Sequence, residues 1–297
     1  MRTVDLFTGN PRLTQSTLHR LTLWLAGATL LGLPWACPAQ PSSGGSSVNP
    51  LIDWYYAAFF GTGVYRAGDR TVSVLQLPFS TELQPVSQNQ WGVSLTFPVS
   101  VGIYDYHLED LLGGKAPHSL STVSLLPGIE AEIPVTPNWT LKPYGSAGEG
   151  WDTSEGGAAW IYAGGVKSRL ALQVTGGSEL SLGNQLTLSG YKPPEAPAQS
   201  LGLFVAGLNL STRSSITLWN HAASIDYHLI YYYYFNRLLF PVSDNPDNKI
   251  AEQSEFGVSL KTHTPISLKL FDVDRIGIAF RIGDGVQGMR VFFNLPY

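Results

Sequence analysis

The residues best suited to hydrolytic chemistry lie in one short stretch, in which Ser224, Asp226 and His228 occur at alternate positions. In an extended strand, side chains two residues apart point to the same side, so the three would share one face. A catalytic triad needs the imidazole between the hydroxyl and the carboxylate, whereas Asp226 is the middle residue here. Ser224 and His228 would also be about 13 Å apart along the strand. We therefore interpret the three as polar strand residues and predict no catalytic residue and no enzymatic activity.

A second group of residues that could do chemistry lies in the acidic stretch YDYHLEDLLGGKAPH, which contains His107 and His118 and the carboxylates Asp105, Glu109 and Asp110. Carboxylate oxygens are the ligands that Ca²⁺ prefers, but this spacing matches no known ligand loop. The stretch is predicted to be a solvated loop. We predict no metal site and no cofactor.

The run YYYYF at residues 231–235 is dense in aromatic rings, which could stack on bases or sugars. Tyrosine is also enriched where a protein surface meets the boundary between lipid and water. The second property favours an aromatic girdle, and the run is predicted to lie at such a boundary.

Charged residues at positions that alternate with apolar ones are better candidates for function. They could form ion pairs that fill an interior, or they could line a pore, and the residue types fit both. The set is Glu130, Glu132, Lys142, Lys167, Arg169, Arg281 and Arg290.

The composition limits the class of protein. Charged residues make up 13% of the 297 residues while hydrophobic residues make up 44%; the usual charged share is about 25%. Apolar content is therefore ordinary, but the charged surface of a soluble protein is missing. The net charge of −4 and the lack of a Lys/Arg run argue against a nucleic-acid partner.

The stretch WGVSLTFPVSVGIY shows best which elements would carry these residues. Seven apolar residues alternate without a break from Trp91 to Ile103, and the intervening positions hold mainly Gly, Ser, Thr and Pro. A period of two indicates a strand with one apolar face. At about 3.4 Å per residue, such a strand is long enough to cross an apolar band of about 25 Å.

The same pattern recurs to the end of the chain, separated by turn signals such as residues 137–138 and 283–285. The apolar parity changes between Leu218 and Ile225, which predicts a turn or a bulge there. We count about twelve strands, with a range of ten to fourteen. Lipid requires every backbone polar group to be paired, which a closed barrel achieves. The predicted fold is therefore all-β, a closed antiparallel transmembrane β-barrel.

The N-terminal region is predicted to be removed or flexible. Arg20 precedes an apolar stretch at residues 21–33, and Cys37 begins a small-x-small cleavage pattern, so we predict a signal peptide over residues 1–39. A lipoprotein interpretation of Cys37 would need an aliphatic residue where Pro34 stands. Residues 40–54 form a Ser/Gly-rich linker or short N-terminal segment, and the barrel is assigned to residues 55–297. No later segment has about 18 continuous apolar residues, as a membrane helix would need.

The C-terminal strand ends MRVFFNLPY, with apolar residues at Met289, Val291, Phe293, Leu295 and Tyr297. This pattern resembles the assembly signal of bacterial outer-membrane barrels. It implies a location in the outer membrane, with outer-membrane lipid and the β-barrel assembly machinery as partners, the machinery acting through the C-terminal strand.

Three longer stretches resemble the solitary outer-membrane autotransporter β-barrel family: GTGVYRAGDRTVSVLQLPFS, LSTVSLLPGIEAEIPVTPNWTLKPYGSAGEGW and LFDVDRIGIAFRIGDGVQGMRVFFNLPY. The resemblance covers residues 55–297. It implies a barrel like an autotransporter translocator domain without a passenger, with a structural or translocation-related role and no catalytic residues. A small-solute outer-membrane channel is the alternative, and a barrel hydrolase is a third.

Overall fold

The computed structural model describes residues 60–67, 70–87, 90–104, 122–153, 157–174, 176–192, 198–212, 216–218, 221–239, 249–268 and 271–297. The predicted signal peptide (1–39), the linker (40–54) and the acidic loop with Asp105, Glu109 and Asp110 lie outside these ranges. Residues 48–297 belong to one compact unit.

The described chain is built from strands. Their bounds are β1 (Gly63–Ala67), β2 (Arg70–Gln84), β3 (Gly92–Tyr104), β4 (Thr122–Leu125), β5 (Gly128–Thr136), β6 (Trp139–Asp152), β7 (Gly157–Gln173), β8 (Glu179–Lys192), β9 (Gln199–Ser211), β10 (Ile216–Leu218), β11 (His221–Leu239), β12 (Lys249–Leu268), β13 (Phe271–Gly283) and β14 (Val286–Phe292).

The strands close into a single antiparallel barrel. Each segment pairs with its neighbours, and β14 pairs with β1 through the register Gly63↔Arg290 to Ala67↔Val286. β4 and β5 both lie between β3 and β6, and β9 and β10 both pair with β11, so each couple acts as one barrel strand. The described residues thus form a closed barrel of twelve strands, which confirms the predicted fold.

The two ends of the barrel differ in their connections. At one end, which we call the loop end, lie the longest connections, at residues 105–121 and 240–248. At the other, the turn end, short connections such as residues 137–138 join the strands, and the C-terminus follows β14. The predicted break between Leu218 and Ile225 is confirmed as the connection between β10 and β11.

Alternation along each strand places apolar side chains outside and small or polar ones inside. On β3, Trp91 precedes the strand and Phe97 lies on it, and both are exposed, whereas Ser100 is buried on the inner face. The exposed aromatic residues on this face include four that lie towards the ends of strands: Trp91, Trp151, Trp160 and Phe235. This belt has the form of a lipid-facing surface with aromatic edges. Among the described residues, none belongs to a helix long and apolar enough to cross a bilayer.

The C-terminus departs from the sequence prediction. Met289 and Val291 are exposed on the outer face as expected, but β14 ends at Phe292. The chain then bends at residues 293–294, and Leu295 and Tyr297 pack against the buried core. The prediction that the terminal strand and its alternating apolar residues continue to Tyr297 is therefore wrong, because the strand ends at Phe292.

Candidate functional site in the barrel lumen

Asp226 is the centre of a buried polar cluster on β9, β11, β12 and β13. Its Oδ2 atom lies 2.8 Å from Nη2 of Arg275 and accepts hydrogen bonds from Ser211 and Asn209. Ser224 donates to the other oxygen at 3.0 Å. The carboxylate is fully buried, so this set of partners compensates for its lost hydration.

His228 does not join this cluster. Its Nε2 atom lies 3.2 Å from Oε1 of Glu255, while Ser224 is bonded to Asp226. All three residues of the sequence motif share one face, as predicted, and that face lines the lumen. The described contacts therefore assign the hydroxyl and the imidazole to different polar groups, and no relay joins them.

Glu255 is the centre of a second buried cluster, nearer the loop end. Arg281 reaches its Oε2 atom at 2.8 Å and Arg290 at 2.9 Å, and the Tyr232 hydroxyl donates to the same atom at 3.2 Å. The guanidinium carbon of Arg281 also lies 4.0 Å from the centre of the Tyr232 ring. Two cations share one carboxylate here, and the aromatic ring face stabilises one of them further.

A third set of charges, on β5 to β8, retains contact with water. Lys167 Nζ lies 2.6 Å from Glu130, Lys142 lies 2.7 Å from Glu132, and Arg169 lies 2.9 Å from Glu179. These six side chains are between 19% and 42% exposed, whereas Glu255 is 1% exposed. We call them the hydrated wall. The lumen thus has a dry side on β9 to β14 and a wetter side opposite.

The chain reaches β1 from inside the barrel. Phe60, three residues before the strand, is 5% exposed and packs edge-on against Tyr65 with ring centres 5.1 Å apart. The Tyr65 hydroxyl donates to the Phe60 carbonyl at 2.6 Å, and the Arg281 guanidinium lies 5.6 Å from the Phe60 ring centre. Gly61 has a φ of 77°, a conformation that suits glycine and turns the chain towards the wall.

The chain also leaves β14 towards the inside. Residues 293–297, which we call the C-terminal strap, end with Tyr297 against Gly183 of β8 and Gly207 of β9. These two glycines are directly paired across the strands. A Cβ atom added at either glycine would overlap the Tyr297 ring, so the absence of side chains there creates the seat that the ring occupies.

The seven charged residues predicted to face inwards all do so, and all take part in ion pairs. The aromatic girdle prediction for residues 231–235 is consistent with the exposure of only three of the five residues. Tyr231, Tyr233 and Phe235 are exposed, but Tyr232 and Tyr234 are buried inside. A continuous strand alternates its side chains, so five successive aromatic residues cannot all meet lipid.

Sequence reasoning missed Glu255 and the glycine pair. In the stretch EFGVSL, Glu255 lies on the strand face opposite to the apolar Phe256 and Val258. This alternation indicates that Glu255 faces the barrel interior. Which cations it meets depends on the pairing of β11, β12, β13 and β14, and no local pattern encodes that. Within the described parts of the chain, no group of three or more His, Cys, Asp or Glu is placed to hold a metal ion.

Comparisons with known proteins agree with this architecture. No protein-family model matches the chain, and no curated protein matches it in sequence. Among solved structures, it is similar to the β domain of the Bordetella autotransporter BrkA, with 11% identity and a TM-score of 0.50, over 77% of this chain and 92% of that one. It also matches the NanC porin, with 12% identity and a TM-score of 0.38, over 78% of this chain and 97% of that one. The expected likeness to an autotransporter-type barrel is confirmed at the level of the fold.

Proposed function

We propose that this chain is an outer-membrane barrel of the autotransporter translocator type, with a structural or translocation-related role and no enzymatic activity. The observation that carries the proposal is the path of the chain into β1. Phe60 lies inside the barrel, where it contacts Tyr65 and Arg281, so residues 60–62 approach the first strand from the lumen. A barrel entered in this way can hold or conduct its own preceding segment.

The interior also supports a filled barrel over an open one. The clusters around Asp226 and Glu255 bring buried charged and polar groups from five strands into contact. Buried ions are stable only when paired and hydrogen-bonded, and these networks supply that pairing. They link β9, β11, β12, β13 and β14 through buried polar contacts.

Two partners follow from this proposal. Outer-membrane lipid would cover the exposed apolar belt, with the turn end in the periplasm, since barrels of this kind have short periplasmic turns and longer outer loops. The β-barrel assembly machinery would bind the C-terminal strand before the barrel closes, while the backbone of that strand is still unpaired.

Cell fractionation and planar-bilayer recording of the purified full chain test the proposal together. We expect the protein in the outer-membrane fraction, with a folded form that migrates differently from the heated form on gels, and no sustained conductance. Recovery in the soluble fraction would refute the membrane assignment. A steady conductance like that of an open porin would refute the filled barrel.

A small-solute channel is the second candidate, and the hydrated wall favours it. Its six charged side chains keep partial exposure inside the lumen, as the lining of a water-filled path would. The bilayer recording above separates this candidate from the first.

A further inference from the structure

The C-terminal strap crosses the lumen at the turn end. It leaves the wall after Phe292 on β14 and seats Tyr297 on β8 and β9. Going around the barrel, four strands separate β14 from β8 in one direction and six in the other. The strap therefore spans from one side of the barrel to nearly the opposite side, and it does so within five residues.

We propose that the C-terminal strap is a displaceable plug of the turn-end mouth, and that the hydrated wall conducts small inorganic ions when the strap leaves. This goes beyond the proposed function, because it assigns the closed state of the lumen to one short segment and predicts a second, conducting state.

The way in which the strap is held makes displacement feasible. It follows the last described strand instead of belonging to it, and Pro296 has no N–H to donate. The buried Tyr297 hydroxyl makes no hydrogen bond to any residue that the structure describes. Ring packing of Tyr297 on Gly183 and Gly207 and the partial burial of Leu295 contribute to holding it. An unpaired buried hydroxyl costs free energy that is recovered on release into water.

The composition of the path predicts what would pass. The hydrated wall contains three cations (Lys142, Lys167, Arg169) and three anions (Glu130, Glu132, Glu179), and each is engaged in an ion pair. Neither sign dominates, so K⁺ and Cl⁻ should both pass with weak selectivity.

The contact between Tyr297 and the paired glycines Gly183 and Gly207 can be removed in two independent ways. Deletion of residues 293–297 removes the strap itself. Gly183→Leu keeps the whole C-terminus but fills the space of the Tyr297 ring, so the ring must leave. Gly145→Leu is the matched control, because a Cβ atom at Gly145 has no neighbour within 4 Å and the residue lies on the outer face of β6.

The test is single-channel recording in KCl of each full-length variant and of the deletion, all refolded in detergent and checked for the heat-modifiable folded form. We expect the deletion and Gly183→Leu to raise the open probability roughly ten- to a hundredfold over the wild type, equivalent to about 1.4–2.8 kcal/mol. Gly145→Leu should match the wild type. Wild-type conductance in either folded variant, or the same increase in the control, would overturn the proposal.

Discussion

At the scale of single residues, Glu255 determines whether two buried guanidinium groups are neutralised. Arg281 and Arg290 both contact it, and its side chain is 1% exposed. Removing the charge leaves both cations without their carboxylate in a poorly hydrated part of the lumen. The loss should therefore exceed that of any half-exposed pair on the hydrated wall.

We expect Glu255→Gln to lower the free energy of unfolding by about 3–5 kcal/mol, because breaking a buried ion pair leaves an uncompensated charge. Guanidinium titration of the barrel in lipid vesicles measures this. Glu179→Gln is the control, since its pair with Arg169 is partly exposed and should cost less than about 1 kcal/mol. Equal losses in the two variants would contradict the assignment.

The residue scale also shows where sequence reasoning succeeds and fails. Alternation placed Ser224, Asp226 and His228 on the inner face correctly, because the period of a strand is local. Tyr232 shows two sequence signals in conflict. Strand alternation predicts that it is buried between Tyr231 and Tyr233, whereas its residue type favours the membrane boundary, and alternation is correct. The partners of Glu255 depend on the register of four strands, and that information is spread over the last seventy or so residues of the chain.

At the scale of elements, β3 offers the cleanest test of the barrel. Its outer positions Val93, Leu95 and Phe97 should be shielded by lipid, whereas Ser94 and Thr96 face the lumen. Single cysteines at the outer positions should resist a membrane-impermeant thiol reagent in outer-membrane vesicles, and cysteines at the inner positions should react faster after the strap is deleted. Equal labelling of both sets would rule out the register.

A charged side chain on the outer face of β3 should lower the stability of the barrel. Leu95→Arg should destabilise the barrel by about 2–4 kcal/mol if Leu95 lies near the middle of the bilayer. Thr96→Arg, one residue away on the inner face, should cost less because the lumen wall already carries charged groups. Unfolding in vesicles compares the two, and a larger loss for Thr96→Arg would reverse the assignment of the two faces.

Strand existence was predictable because each strand carries its own pattern of alternation. Strand ends were not, and β14 is the clearest case. Phe293, Leu295 and Tyr297 continue the apolar period of Met289 and Val291 in sequence, but the strand stops at Phe292. The reason lies at the opposite wall, where Gly183 and Gly207 leave a space for an aromatic ring.

At the scale of the whole molecule, closure depends on the seam between β1 and β14, which joins only five residue pairs. Tyr65 fixes this seam from inside: its ring covers Gly288 of β14, and its hydroxyl is bonded to the Phe60 carbonyl. Because Gly288 has no side chain, the Tyr65 ring fits over it where the first and last strands pair.

Gly288→Val should disrupt closure, because a Cβ atom there would overlap the buried Tyr65 ring. We expect a loss of about 1–3 kcal/mol from overpacking and a smaller heat-modifiable fraction on gels. Gly145→Val, at a position where an added Cβ atom has no neighbour within 4 Å, should behave as the wild type. A fully folded, equally stable Gly288→Val barrel would show that Tyr65 does not control the seam.

The luminal position of Tyr297 also fixes an order of events during folding. The ring can reach its seat only after β8 and β9 have paired, since the seat consists of one glycine from each. It must also approach from within, so docking accompanies or follows the meeting of β14 with β1. The strap, which follows every described strand in the sequence, is thus among the last parts of the barrel to find its place.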